Sequence, residues 1–120
     1  MRLHKEEEAL CRRLYDPAGL SRTLGNQAGI LIQQGELEAA MRLLKEKEAI
    51  CRRLNNWEGL AISLANQAVL RAQQGDNPGA LELARQALQI AEAHGYVVLA
   101  RQIRGIIQRL EGDEKAGMKG

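Results

Sequence analysis

The chain has 120 residues, with 17 Lys and Arg against 15 Asp and Glu, a formal charge of +2, and only Trp57, Tyr15 and Tyr96 as aromatics. That length suits about one domain with a modest core. The dominant Leu, Ala, Glu, Gln and Arg are strong helix formers, whereas β-branched residues are few, so the expectation is an all-helical chain. The charges are interleaved and weak in sum, which argues against a nucleic-acid partner or an anionic membrane surface. The longest apolar run, Ala28–Ile32, is too short to span a bilayer. The N-terminal residues lack the order of a signal peptide, so a cytoplasmic setting is the default expectation.

Taken in order, Leu3–Leu14 reads as a helix with an acidic start (Glu6, Glu7, Glu8) and a basic finish (Arg12, Arg13), which suits the helix dipole. Asp16-Pro17 then supplies an N-cap and a first-turn proline for a helix reaching Gln34, with Leu20, Leu24, Ala28 and Leu31 on one face and Gly35 as its stop. The next helix runs to about Leu54, and Asn55-Asn56 ends it and caps its successor. That successor repeats the Leu60, Leu64, Ala68 face and ends at Gly75. Asp76-Asn77-Pro78 opens a helix to about His94, Gly95 ends it, and a last helix spans Tyr96 to Glu111. Residues 113–120 read as a flexible polar tail. The total is about six antiparallel helices with short turns.

The chain writes itself twice. Residues 1–40 and 41–80 agree at 21 of 40 positions, including Cys11-Arg12-Arg13-Leu14 with Cys51-Arg52-Arg53-Leu54. Leu24-Gly25-Asn26-Gln27-Ala28 recurs as Leu64-Ala65-Asn66-Gln67-Ala68. A fixed period of this size marks a stacked-repeat architecture. Cys11 and Cys51 occupy equivalent positions, with Ala91 third in the series. Packed helices would hold them about 10 Å apart, beyond disulfide reach, so each reads as a small buried residue.

A helix ending in Gln-Gly-acid, followed by a helix with Ala at its fifth position, resembles the tetratricopeptide repeat. Leu24, Asn26, Ala28, Ile30, Gln34, Gly35 and Ala40 carry the likeness, and Leu64, Asn66, Ala68, Leu70, Gln74, Gly75 and Ala80 repeat it. A period near 40, and an Asn two places before the small residue, look more like the long repeats of kinesin light chains and their bacterial relatives. The resemblance implies a right-handed α-solenoid of antiparallel hairpins: a half-repeat 1–16, repeats 17–56 and 57–95, and a closing helix 96–112. Ala28 with Ala40, and Ala68 with Ala80, would be the small residues at which the helices of each hairpin touch. Solenoid ends normally carry polar caps, yet Leu3, Leu10 and Leu14 read as an uncapped apolar face. Either the chain is a piece of a longer array, the favoured reading, or its first helix pairs with another chain.

Chemistry is hard to find. Ser21, Ser63 and Thr23 are the only hydroxyl side chains besides the tyrosines, and none stands in a nucleophile-elbow or phosphate-loop setting. His4 and His94 are far apart, and His94 reads as a helix terminus. The acids Glu6–Glu8 and Glu46–Glu48 alternate with Lys on what reads as exposed faces, better explained by i,i+4 pairs than by a metal. No enzyme, cofactor or metal is expected.

The resemblance implies instead a concave groove lined by the first helices of successive repeats. Its positions would be Arg22, Gly25, Asn26, Gly29, Ile32 and Gln33, then Ile62, Ala65, Asn66, Val69, Ala72 and Gln73. Leu99, Gln102, Ile103, Ile106 and Arg109 of the closing helix would complete it. Arg22, Asn26, Gly29, Gln33, Ile62, Asn66, Val69 and Gln73 form the expected peptide- or protein-binding set. An Asn amide can pair with both backbone groups of an extended peptide; alternatively, Asn26 and Asn66 cap turns or bridge repeats. The expected function is a protein-interaction scaffold with a protein or peptide partner. The alternative is a structural spacer or self-association module that pairs through the apolar groove or uncapped ends.

Overall fold

The computed structural model describes residues 17–119, with side chains described through residue 112. The expected first helix, the half-repeat 1–16 and Cys11 lie outside them. Five helices follow one another: α1 (Pro17–Gln33), α2 (Leu37–Leu54), α3 (Trp57–Gln73), α4 (Asn77–Ala93) and α5 (Val97–Lys119). No strand occurs among the described residues. Each helix packs on the next in sequence, and α3 also touches α5. The chain is thus an α-solenoid of antiparallel helix hairpins, α1–α2 and α3–α4, closed by α5.

One joint is used four times. Gly35, Asn55, Gly75 and Gly95, twenty residues apart, carry φ of 78°, 55°, 87° and 76°. At each, the left-handed residue's N–H and the next one's return to carbonyls of the last turn, as in Glu36 N to Leu31 O (2.8 Å) and Asp76 N to Arg71 O (2.9 Å). This six-residue closure satisfies the orphan carbonyls and reverses the chain in two residues. At two of the joints the residue that closes one helix then caps the next, whereas Glu36 makes no side-chain cap bond. Asn56 Oδ1 accepts from Gly59 N, and Asp76 Oδ1 from Gly79 N, each at 3.0 Å. A Cβ at Gly59 would come within 2.7 Å of Asn56 Nδ2, so the third helical position stays bare to admit the cap.

Packing follows the repeat. Leu24, Ala28, Leu64 and Ala68 are buried, as are Ala40 and Ala80. Ala28 shares an apolar cluster with Ala40, and Ala68 shares one with Ala80. On α4 the inward stripe is Ala80, Ala84, Ala87 and Ala91, all fully buried. Four alanines one helical turn apart allow close approach of α3 and α5 on either side. On α2 the same register reads Ala40, Leu44, Lys47, Cys51.

The two inter-hairpin seams differ in chemistry. Between α2 and α3, Ser63 Oγ donates to Leu44 O (2.7 Å) and Gln67 Nε2 donates to Glu48 Oε1 (2.8 Å). Forty residues on, the same four positions are Ile103, Ala84, Ile107 and Leu88, and that seam is apolar. At one edge, His94 stacks on Trp57 (centroids 4.8 Å, 13°) and on Tyr96 (6.3 Å, 25°), tying the end of α4 to the start of α3.

Two expectations need correction. The helix end expected before Gly112 is not there: α5 continues to Lys119, because Glu114, Lys115, Ala116 and Met118 are good helix formers that outweigh Gly112 and Gly117. Residues 46–48 do not lie on an exposed face, since Glu46, Lys47 and Glu48 are all half-buried and Glu48 serves Gln67. The expected uncapped apolar face, Leu3, Leu10 and Leu14, lies outside the described residues, whereas the described part of α5 turns a polar face outward. Where α3 offers Ala61, Leu64 and Ala68 to its second helix, α5 has Arg101, Arg104 and Gln108, all exposed.

Candidate protein-interaction groove

Of the first helices of the repeats, α1, α3 and α5, the last two touch, and their outward turns form the candidate surface. Along the α3–α5 seam, three hollows of about 360, 270 and 310 Å³ run end to end, each sharing lining residues with the next. The first opens between Glu58, Ile62 and Tyr96–Leu99. The middle one is walled by Ile62, Ala65, Asn66, Leu99 and Gln102 over a floor of Ile103 and Ile106. The last lies among Val69, Ala72, Gln73, Ile106 and Arg109. Together they make one trough along the helix axes, with a mostly aliphatic floor and amides on its rim.

Helical spacing puts Ile62, Asn66, Val69 and Gln73 on one stripe of α3, and all four line this trough. Their first-repeat counterparts Arg22, Asn26, Gly29 and Gln33 lie exposed on α1 in the same register. The expected closing-helix residues Leu99, Gln102, Ile103, Ile106 and Arg109 are all found in the trough walls, with Ile103 as fully buried floor. Ile32 turns partly inward against the Ala28–Ala40 cluster. Among the described residues, no side chain or turn hydrogen-bonds the Asn26 or Asn66 amides. At one mouth Val97 and Val98 are 65% and 66% exposed.

Lys47 is the residue that sequence reasoning missed. It sits on the inward stripe of α2, between Leu44 and Cys51, where α4 has Ala87. Its partner position on α1 is Gly25, where an added Cβ would lie 2.9 Å from Lys47 Nζ. Gly25 corresponds to Ala65, so the lysine of α2 lies against α1 where the next repeat has two alanines. Among the described residues, no carboxylate comes within ion-pair distance of it. Burial lowers its pKa from the usual 10.5, partly countered by the neighbouring Cys51 thiol. The signal was present in the sequence as a paired exchange: Gly25 with Lys47 in one repeat, Ala65 with Ala87 in the next.

Cys51 itself is fully buried and free, with its sulfur 3.4 Å from Ser21 Oγ. No group of His, Cys, Asp or Glu among the described residues could hold a metal ion, and no described helix is long and apolar enough to cross a membrane.

Stacked helical hairpins of fixed period with a trough along their first helices define a repeat solenoid built around a binding face. The comparison with known families is specific: residues 19–93 match the tetratricopeptide repeat, and the chain belongs to the tetratricopeptide repeat family. Repeats of this family generally mediate protein–protein interaction and are typically non-catalytic. No curated protein matches the chain.

Proposed function

We propose that the chain is a non-catalytic scaffold module that binds an extended peptide or protein segment in the trough between α3 and α5, with α1 extending the surface. The observation that carries this is the continuous aliphatic floor under a rim of free amides. The floor rewards burial of apolar side chains at roughly 25 cal/mol per Å². Asn66, Gln73 and Gln102 offer donors and acceptors to the backbone of the incoming strand. The proposed setting is the cytoplasm, where the buried Cys51 thiol stays reduced.

The test is a library of degenerate dodecapeptides displayed on phage and selected on the immobilised full chain. Val69→Asp places a charge in the trough wall and should abolish the selected binding while the helical circular dichroism is kept. Arg42→Asp, on an exposed position of α2, should leave it intact. Equal retention by both variants refutes the groove.

Exposed Val97 and Val98 at the trough mouth favour a second reading, self-association of two copies through this end. Multi-angle light scattering over a hundredfold concentration range decides it, because a constant monomer mass excludes the dimer.

A further inference from the structure

Two residues at one end of the trough depart from the repeat, and both line the same hollow. The first is Glu58 on α3, whose counterparts forty residues away are Ala18 on α1 and Val98 on α5. Among the described residues it is the only acid lining the three hollows, and no described cation lies within ion-pair distance of it. A first-turn acid suits the positive end of a helix. The cap of α3 is nevertheless supplied by Asn56, which accepts from Gly59 N at 3.0 Å, so the exposed carboxylate is left free. The second departure is Tyr96. At the other joints the left-handed residue is followed by Glu36, Asn56 or Asp76, all polar. A tyrosine lacks the short oxygen-bearing side chain that caps α3 and α4. Its ring instead walls the hollow that holds Glu58 while stacking on His94. This hollow is the largest of the three, about 360 Å³, and Ile62, Val97, Leu99 and the Gln102 amide complete it. The far end of the trough carries the opposite charge, Arg109, with no described acid within ion-pair distance.

We propose that the Glu58–Tyr96 hollow seats a basic side chain of the bound segment, arginine ahead of lysine, and thereby fixes which way round that segment lies. This rests on the groove reading above. The Glu58 carboxylate supplies the counter-charge, and a guanidinium can meet its two oxygens with two parallel N–H groups. The Tyr96 ring adds cation–π attraction, for which the planar arginine head is the better partner. The aliphatic walls take the methylene stem, which a long basic side chain buries while its head stays at the wet rim. An aliphatic residue a few places along drops over Ile103 and Ile106 in the middle hollow. At the far end Arg109 repels the same base, so a segment with a single base lies in the trough one way round.

The experiment selects phage-displayed degenerate dodecapeptides on the immobilised full chain, for wild type and Glu58→Gln in parallel, and sequences the recovered pools. Wild type should enrich Arg and Lys at one fixed distance from an aliphatic position. Glu58→Gln leaves the Asn56 cap in place and should keep the aliphatic consensus while losing the basic one. A recovered peptide remade with citrulline for its arginine should bind wild type about tenfold more weakly in fluorescence anisotropy, a few-fold from the exposed ion pair and the rest from the ring. Against Glu58→Gln the same exchange should change little. Tyr96→Asn, which restores the polar residue of the other joints, should keep the helical circular dichroism and reduce the citrulline effect to that few-fold remainder. An aliphatic consensus with no basic position leaves the groove standing and overturns the basic seat, as does a basic position that survives Glu58→Gln. If wild type recovers no peptide, or Val69→Asp recovers the same ones, the groove reading fails and this inference falls with it.

Discussion

The two seams between hairpins provide an internal control, because position 48–67 is Glu–Gln and its repeat counterpart 88–107 is Leu–Ile. Consider Glu48→Leu alone. The Gln67 amide is 2% exposed and keeps only a 3.4 Å contact to Ser63 Oγ. An unsatisfied buried amide costs about 1–3 kcal/mol. The Arg52–Glu48 pair (2.9 Å), with its arginine 54% exposed, adds at most about 0.5 kcal/mol to the loss. Part of this returns through the apolar area of the new leucine, leaving a net cost of about 1–2 kcal/mol. Gln67→Ile alone removes one partner of Glu48 but leaves Arg52, so it should cost about 1 kcal/mol. The double substitution recreates the chemistry of the α4–α5 seam and should return close to wild-type stability, a coupling of about 2–3 kcal/mol in its favour. Urea denaturation followed at 222 nm gives the four free energies. Additivity within about 0.5 kcal/mol would refute the idea that the polar seam is a self-contained exchange for the apolar one.

Other outcomes follow from single sites. Thr23 Oγ1 is buried with no hydrogen-bond partner, and Ile103 occupies the equivalent place on α5, so Thr23→Val should raise stability by about 1 kcal/mol in the same urea titration. Leu64, 1% exposed at the centre of the larger apolar cluster, should lose about 3–4 kcal/mol on substitution by Ala. Removing the cap of α4 with Asp76→Ala should cost about 1 kcal/mol, read as a lower thermal midpoint. Burial holds the folded-state pKa of Lys47 below 10.5, so at alkaline pH the unfolded chain binds more protons than the folded one. Stability therefore rises as pH climbs through the folded pKa toward 10.5. Relative to Lys47→Met, the wild type should gain urea midpoint over that range; a constant difference contradicts the desolvated ammonium.

The helices and joints were legible because local chemistry and period agreed. Gly35, Gly75 and Gly95 fall where a left-handed residue is required, and Asn56 and Asp76 follow where a cap is required. The set Ile62, Asn66, Val69 and Gln73 came from the family resemblance, and it falls on one face of α3 because a helical face repeats at three and four residues. What escaped lay where local pattern and tertiary position disagree. Glu46-Lys47-Glu48 looks like a solvated face in isolation, yet the stripe through Leu44 and Cys51 draws Lys47 inward. Gly112-Asp113 repeats the Gly-acid pair of the other stops, yet α5 runs through it to Lys119. The polar outer face of α5 was written in the sequence too, as Arg101, Arg104 and Gln108 in register with Ala61, Leu64 and Ala68. It becomes visible only when the third copy is compared position by position with the second.

That charged face constrains the symmetry of any assembly. Head-to-tail stacking of solenoids, the route to open filaments, needs a dry surface at one end to receive the other end of the next copy. With Arg101, Arg104 and Gln108 exposed, and Arg104 tied to Glu92 at 2.6 Å, the described side chains of α5 offer no such seat. Copies that meet through the Val97–Val98 mouth would instead present the same patch to each other, a twofold arrangement that stops at two.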